Sequence, residues 1–323
     1  PFPMGLAAQS LARERQIPLV YTCHSLYPDY SEYVPWAAGA LRKVLEAHLN
    51  YFCNRCDAII APSEHVREKL LAWGITRPIH VLPTGIELAP FRQYDHQTAR
   101  RWVLEQHHIP ADRLLLLFVG RLAQEKNLDH LLHELQYLRR VWNASGGANF
   151  HLLLVGTGPH EETLRRLTAQ LDLTAQVTFV GSVPRECVIR YYCGSDIFVF
   201  PSVSETQGIV LLEALAGGLP VVALAAPATR EVVRHGVEGL LVSGDRSALA
   251  GALHQLLTGD AARQLLREAA LRRAQEFAVD KMIDRLEELY AEVRRTYTPA
   301  RRKSVLGPWR RPTDLQRRVG SSG

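Results

Sequence analysis

The chain has 323 residues, of which 47% are hydrophobic and 22% are charged, and its formal net charge is +5. These proportions match those of soluble globular proteins, so they exclude a disordered chain and a fibrous repeat, and the length provides for about two domains. The sequence has no uncharged apolar run of about 18 residues, the length that a membrane-spanning helix requires, so we expect no membrane span.

Short apolar runs alternate with helical patterns along the whole chain. Runs that are apolar on both faces predict parallel strands with helices on both sides of the sheet, an α/β fold of the doubly wound class. The runs are PLVYTCH (18–24), AIIAPS (58–63), IHVLP (79–83), LLLLFVG (114–120), FHLLLVG (150–156), VTFVG (177–181), IFVFPS (197–202) and PVVAL (220–224).

A polar stretch over 90–112 interrupts this alternation, and we place a domain boundary there. Three strands precede it, which is few for a core covered on both faces, so we expect about half of a domain to be missing in front of Pro1. The predicted parts are a partial amino-terminal Rossmann-like domain (1–88), a second Rossmann-like domain (89–278), a helix that returns to the first domain (279–297) and a basic tail (298–323). A one-sided apolar stripe predicts that helix: Met282, Ile283, Leu286, Leu289, Tyr290 and Val293.

The positive charge is concentrated in the tail. From Arg294 onward the sequence has nine Lys or Arg and one acid, Asp314. The rest of the chain is slightly acidic, so we expect no nucleic-acid partner. The tail either stays solvated, as most charged ends do, or rests on anionic lipid headgroups with Trp309 among them.

The cysteines argue for a reducing compartment. There are five, an odd number without the spacing of a disulfide framework. We therefore expect a cytoplasmic protein, with peripheral contact at the inner face of the membrane if the tail binds lipid. Cys53 and Cys56 form a lone CxxC without a second pair, so we interpret them as structural. The sequence has no DxD motif, and no metal is expected.

Ligands of open parallel sheets bind at the carboxyl ends of the strands. Arg121 and Lys126 follow the strand LLLLFVG, where two cations suit a diphosphate, although exposed Arg and Lys are also common surface residues. Gly156 and Gly158 follow FHLLLV in a loop that resembles half of a dinucleotide fingerprint, but the third glycine is missing, which argues against an NAD site. These glycines serve either a tight turn or a close approach of the backbone to a nucleotide.

The segment SVSETQGIVLLEALAGGLPVVA is the most informative. Its predicted helix over 208–216 is apolar all round except for Glu213, so it must be buried, and Glu213 then needs a resident donor or a ligand hydroxyl. A glutamate satisfied by the backbone is the structural alternative. Gly208 leaves backbone N–H groups free at the helix start, which suits an anion. Glu205 stands eight residues before Glu213, outside the helix.

His24 ends the first predicted strand and precedes a polar and aromatic loop. A histidine at this end of a strand can orient a hydroxyl or act as a general acid or base. Taken alone, His24 is better explained by a structural role.

Together these segments resemble the family-4 retaining glycosyltransferases, which have the GT-B fold of two Rossmann-like domains. The motifs are VGRLAQEKNLDHLL, the two glutamates of SETQGIVLLEALAGGLPVVA, and EVVRHGVEGLLVSGD, and the resemblance extends over about 18–289. Three motifs, VYTCHSLYPDYSEYVP, VLPTGIEL and SETQG, are most similar to bacterial enzymes that glycosylate lipids, such as the diacylglycerol glucosyltransferases and related mannosyltransferases.

The resemblance implies a role for each candidate residue. Arg121 and Lys126 would bind the donor diphosphate, Glu213 the ribose hydroxyls, and Glu205 the transferred sugar. His24 would contact that sugar across the cleft between the domains. The remaining implied donor contacts are Gly156, Val183, Gln207, Gly208 and Ile209.

The implied reaction is retaining transfer of a hexose from a UDP- or GDP-sugar to a hydroxyl of a lipid or glycan, without metal or other cofactor. The glycine-rich loop of the family's amino-terminal half has no counterpart in this sequence, so a non-catalytic remnant that binds sugar nucleotides is the alternative. An epimerase or a phosphorylase of the same fold fits less well.

Overall fold

The computed structural model describes residues 3–28, 38–142 and 149–298. Its strands are β1 (Val20–Thr22), β2 (Ala58–Ala61), β3 (Ile79–Val81), β4 (Leu114–Val119), β5 (Phe150–Val155), β6 (Val177–Gly181), β7 (Ile197–Phe200), β8 (Val221–Leu224) and β9 (Gly239–Val242). Its helices are α1 (Pro3–Arg15), α2 (Ala38–Cys53), α3 (Glu64–Ala72), α4 (His96–Gln106), α5 (Leu128–Trp142), α6 (Glu161–Gln170), α7 (Arg185–Gly194), α8 (Ile209–Ala216), α9 (Pro227–Val232), α10 (Ala248–Thr258), α11 (Asp260–Ala274) and α12 (Val279–Thr296).

The strands form two parallel sheets. The first has the order β1-β2-β3 and the second the order β6-β5-β4-β7-β8-β9. In the second sheet the chain runs outward from β4 through β5 to β6, and then returns to pair β7 with the other side of β4. The point where the strand order reverses therefore lies between β4 and β7, and a ligand crevice is expected at their carboxyl ends.

All eight predicted apolar runs contain a strand, and a ninth strand, β9, was not predicted. β9 is four residues long and begins with Gly239. A Cβ at this position would lie 2.1 Å from the carbonyl oxygen of Val221, so only glycine allows β8 and β9 to pair here. A glycine at its first position weakens the pattern that identifies a short strand in a sequence.

The polar stretch over 90–112 contains the helix α4, which packs against the second sheet. Asp95 caps its amino terminus by accepting a hydrogen bond of 2.9 Å from the backbone N–H of Thr98. Ala99 and Val103 are buried in the core of the second sheet. The stretch thus belongs to that sheet by its contacts, and the domain boundary that we place near it stays a prediction.

Helix α12 packs on the first sheet, as its apolar stripe indicates. Leu289 and Val293 share a buried cluster with Ala58 and Ile60 of β2. The predicted stripe is too wide, however, because Ile283 is 46% and Tyr290 44% exposed. Each lies one position after a buried residue. One position along a helix rotates a side chain by about 100°, so each points away from the narrow three-stranded sheet.

The five cysteines are free thiols. Cys53 and Cys56 are completely buried in the core of the first sheet, and burial raises the pKa of Cys56 to about 11. Such thiols pack as small apolar side chains.

None of the helices in the described ranges combines the length and apolar character of a bilayer span. The predicted basic tail lies outside the described residues from 299 onward.

Candidate functional site

Two loops of the second sheet meet at the predicted crevice. The loop after β4 runs through a 3-10 turn, Gln124–Lys126, into α5, and the loop after β7 leads to α8. Asn127 connects them: it has a φ of 55°, and its side-chain amide donates a 3.3 Å hydrogen bond to the carbonyl of Pro201. A left-handed backbone is tolerated by asparagine better than by most residues.

Lys126 and Glu205 form an ion pair between these loops. The Lys126 ammonium lies 2.5 Å from Oε1 of Glu205, and the two side chains are 18% and 17% exposed. Ser202 donates a 3.1 Å hydrogen bond to the same carboxylate oxygen. The cation predicted to bind the diphosphate and the carboxylate predicted to face the sugar thus lie side by side, 79 positions apart in the sequence.

The start of α8 lies on the same loop. Gly208 caps this helix with a φ of 72°, and it offers no side chain to the first backbone N–H groups. Those groups and the positive end of the helix dipole favour an anion. Ile209 is 46% exposed, whereas 211–216 are buried, so only the first turn opens to the crevice.

Glu213 occupies the buried part of α8 and has resident donors. It is 7% exposed, and Tyr192 donates a 2.8 Å hydrogen bond to its Oε2. Arg185 pairs with Oε1. Burial, together with the negative charge of Glu213, raises the pKa of the Tyr192 hydroxyl well above its ordinary value, so this group stays a donor.

Sequence reasoning missed both partners of Glu213. Arg185 begins α7 two residues after Val183, in the loop that follows β6. Its one sequence signal was this position at the carboxyl end of a strand. Arg185 is 58% exposed, so it can turn toward a ligand while Tyr192 holds the carboxylate. The contact of Glu213 with ribose stays a prediction.

The glycines after β5 are explained by packing between loops. Gly156 has a φ of 128°, and a Cβ there would lie 2.0 Å from the carbonyl oxygen of Gly120. A Cβ at Gly158 would lie 2.2 Å from the carbonyl oxygen of Leu122. Both positions therefore need glycine to bring this loop against the loop after β4, and a contact of Gly156 with the donor is not required to explain them.

The first sheet contacts the same crevice from the other side. Gln207 exchanges two hydrogen bonds with Thr84, which follows β3: the Thr84 N–H donates to Oε1 at 3.0 Å, and Nε2 donates to the Thr84 carbonyl at 3.2 Å. Ser63, which follows β2, donates a 2.6 Å hydrogen bond to the carbonyl of Thr206. Loops of both sheets thus hold the segment between Glu205 and Gly208.

A second contact between the sheets lies beside this segment. Glu231 of α9 accepts hydrogen bonds from the backbone N–H groups of Glu64 at 2.8 Å and His65 at 2.9 Å. These are free N–H groups at the start of α3, so a residue of the second sheet's layer acts as a cap for a helix of the first.

The remaining predicted residues lie on neighbouring loops. His24 follows β1 and Arg121 follows β4, and both are exposed. Val183 is half-buried after β6. Within the described ranges, the structure shows no hydrogen bond from His24 or Arg121 to Lys126, Glu205 or Glu213, so their roles stay predictions.

Two family models match the sequence. Residues 101–273 match "Glycosyl transferases group 1", and residues 1–90 match "Glycosyltransferase Family 4". The alpha-monoglucosyldiacylglycerol synthase of Streptococcus pneumoniae is 30% identical over 257 residues, which are 79% of this chain and 57% of that protein. The D-inositol 3-phosphate glycosyltransferase of Rhodococcus erythropolis is 32% identical over 313 residues, which are 93% of this chain and 68% of that protein.

Solved structures share the fold. Sucrose-phosphate synthase from Thermosynechococcus elongatus superposes with a TM-score of 0.74 and 26% identity, over 90% of this chain and 71% of that one. HepE from Anabaena, solved with UDP and glucose, has a TM-score of 0.75 and 19% identity, over 89% of this chain and 75% of that one. The chain thus spans about 57% of the curated Streptococcus relative and larger parts of the solved structures.

Proposed function

The chain belongs to the group 1 glycosyl transferases and has their GT-B fold, and from this premise we propose that it transfers a hexose from a UDP- or GDP-linked donor to an acceptor hydroxyl with retention of configuration. The observation that carries the proposal is the ion pair of Lys126 and Glu205 beside the uncapped start of α8. A diphosphate placed there would receive the Lys126 charge and the backbone N–H groups together.

The donor would extend in both directions from the start of α8, toward Glu213 on one side and toward Glu205 on the other. Glu213 would bond the ribose hydroxyls, in reach of Arg185, and Glu205 would face the hexose. Arg121 would add the second cation of the diphosphate site, and His24 would contact the hexose from the first sheet. The side-chain amide of Gln207, held by the backbone of Thr84, fixes the position of this segment.

The proposed reaction is a substitution on one face of the anomeric carbon. The bond between this carbon and the diphosphate oxygen breaks, and the acceptor oxygen bonds to the same face. The acceptor proton passes to an oxygen of the departing diphosphate. Lys126, Arg121 and the α8 amides stabilise the charge that develops on the leaving group, so we propose a reaction independent of metal.

The acceptor is proposed to be a lipid or a glycan. The relative named an alpha-monoglucosyldiacylglycerol synthase supports a lipid, and the relative named a D-inositol 3-phosphate glycosyltransferase supports a polar acceptor. For a lipid acceptor, the basic tail would attract the enzyme to anionic headgroups on the cytoplasmic face of a membrane.

Calorimetric titration with UDP and GDP, with and without EDTA, tests the donor site. Wild-type protein should bind one nucleotide saturably and without an effect of EDTA, and the variants Lys126→Ala and Glu213→Gln should each bind it roughly tenfold more weakly or worse. Gln at 213 keeps an acceptor for Tyr192, so this variant tests the charge with little effect on folding. Arg272→Gln, at a 72% exposed position of α11, is the matched control.

Two results would contradict the proposal. One is that folded wild-type protein binds neither nucleotide. The other is that both variants bind the nucleotide as tightly as the control does.

A further inference from the structure

A cavity lies at the amino-terminal ends of the strands of the second sheet, opposite the candidate donor site at their carboxyl ends. Leu114, Asp196 and Pro220 line it, and they stand at the amino-terminal ends of β4, β7 and β8. Its volume is about 220 Å³. The other lining residues come from the amino-terminal halves of α4 and α11: His96, Arg100, Asp260, Arg263, Gln264 and Arg267.

Two of its three arginines are satisfied by the protein. Arg100 pairs with Asp196 and donates to the carbonyl of Arg113. Arg263 pairs with Asp260 at 2.8 Å and donates to the carbonyls of Leu256 and Leu257. These guanidinium groups have acceptors in place, so neither requires a ligand.

Among the described residues, Arg267 has no acceptor comparable to those of Arg100 and Arg263. Its Nη1 lies 3.4 Å from Nδ1 of His96, and that nitrogen lies 2.8 Å from the carbonyl oxygen of Cys193. Because a carbonyl oxygen can only accept, Nδ1 carries a proton and cannot accept a second one from Arg267. Across the described ranges, no carboxylate forms an ion pair with Arg267.

The charges around the cavity do not balance. Three guanidinium groups face two carboxylates, Asp196 and Asp260. Burial lowers the pKa of Arg267 and outweighs the opposing effect of the Asp196 charge. Helix α11 begins at Asp260, so the positive end of its dipole adds to this excess. A bound anion would restore the balance.

We propose that this cavity binds a small oxyanion of the phosphate type, with Arg267 as its principal ligand and Gln264 as a second donor. A guanidinium matches a tetrahedral oxyanion by donating two parallel N–H groups to two of its oxygens. The anion is either free phosphate or the phosphate group of a small organic molecule. The site is separate from the donor crevice, because the two lie at opposite ends of the same strands.

Thermal unfolding of the whole chain tests the site, with sodium phosphate titrated against sodium chloride at matched ionic strength. The unfolding midpoint of the wild type should rise saturably with phosphate. Arg267→Gln should need roughly tenfold more phosphate for the same rise. The control Arg272→Gln, on the exposed side of the same helix, should behave as wild type.

Lys126→Ala separates this cavity from the donor crevice and should keep the phosphate response. A response that is lost in Lys126→Ala and kept in Arg267→Gln would overturn the proposal, as would no saturable response in the wild type. Glucose 6-phosphate titrated beside inorganic phosphate distinguishes the sources: a lower half-saturating concentration of the ester indicates an organic phosphate, and the reverse order indicates the free ion.

Gln264→Glu provides an independent test should Arg267→Gln fail to fold. A carboxylate at this position stands next to Arg267 and replaces the proposed anion. We expect a higher unfolding midpoint without phosphate and no further rise with it. A variant that still responds to phosphate as the wild type does would count against the site.

Discussion

Nζ of Lys126 lies 2.5 Å from Oε1 of Glu205, so the two charges of the candidate donor site neutralise each other across loops that follow β4 and β7. A donor diphosphate would compete with Glu205 for the same ammonium group. The two residues therefore act on nucleotide binding with opposite sign, although both are expected to be needed for transfer.

This opposition gives the first prediction. Lys126→Met should weaken nucleoside diphosphate binding roughly tenfold or more, because a charge-assisted contact is lost. Glu205→Gln should leave that binding equal or tighter, because it removes a negative charge near the diphosphate and frees Lys126. Calorimetry measures both, and a Glu205→Gln variant that binds the nucleotide as weakly as Lys126→Met would contradict the prediction.

Tyr192→Phe should destabilise the protein through Glu213. The substitution leaves Oε2 of a buried carboxylate without its 2.8 Å donor, a loss of about 1–3 kcal/mol. Tyr290→Phe, at a 44% exposed position of α12, should change the free energy of unfolding by less than about 0.5 kcal/mol. Urea denaturation of the two variants compares them, and equal stabilities would show that the Tyr192 hydroxyl contributes nothing to Glu213.

The sequence was sufficient to predict most of the fold. Continuous apolar runs identified eight strands, and the apolar helix around Glu213 identified the most informative loop. The contacts of Glu213 could not be predicted from the sequence. Arg185 and Tyr192 lie 28 and 21 positions away from Glu213 and approach it only because α7 packs on α8. The pairing of Lys126 with Glu205 likewise depends on the strand order, because β4 and β7 are neighbours only in the folded sheet.

Substitution of Gly158 and of Gly251 by alanine should change the stability of the protein in opposite directions. A Cβ at Gly158 would lie 2.2 Å from the carbonyl oxygen of Leu122, so Gly158→Ala should cost more than about 3 kcal/mol by separating two loops of the donor site. Gly251 lies inside α10 with nothing within 4 Å of its Cβ position, so Gly251→Ala should stabilise by about 0.5–1 kcal/mol. Thermal unfolding midpoints measure both, and a tolerated Gly158→Ala would contradict the close packing of the loops.

Glu231→Ala should loosen the contact between the two sheets. The variant loses both hydrogen bonds to the amino terminus of α3, an effect of about 1–2 kcal/mol by analogy with a helix cap. Hydrogen exchange of the Glu64 and His65 amides should therefore accelerate roughly tenfold. Glu268→Ala, at a 67% exposed position of α11, should leave these amides unchanged, and unchanged exchange in Glu231→Ala would show that the carboxylate does not hold them.

His151 should give the stability of the protein a dependence on pH. This residue of β5 is 7% exposed, and burial, together with the charges of Arg113 and His107, lowers its pKa from 6.5 to about 4. Between these two values the unfolded chain binds more protons than the folded one, so the free energy of unfolding is highest above the unfolded pKa and falls as pH decreases toward 4.

The contribution of His151 to this fall is on the order of 2 kcal/mol. Its Nε2 lies 2.8 Å from the hydroxyl of Thr178, a contact that glutamine can keep, so His151→Gln should remove the contribution without emptying the site. Urea denaturation at about pH 7.5 and about pH 4.5 measures it for wild type, His151→Gln and the exposed control His133→Gln. Because the control should retain the wild-type fall, an equal fall in all three proteins would place the titrating group elsewhere.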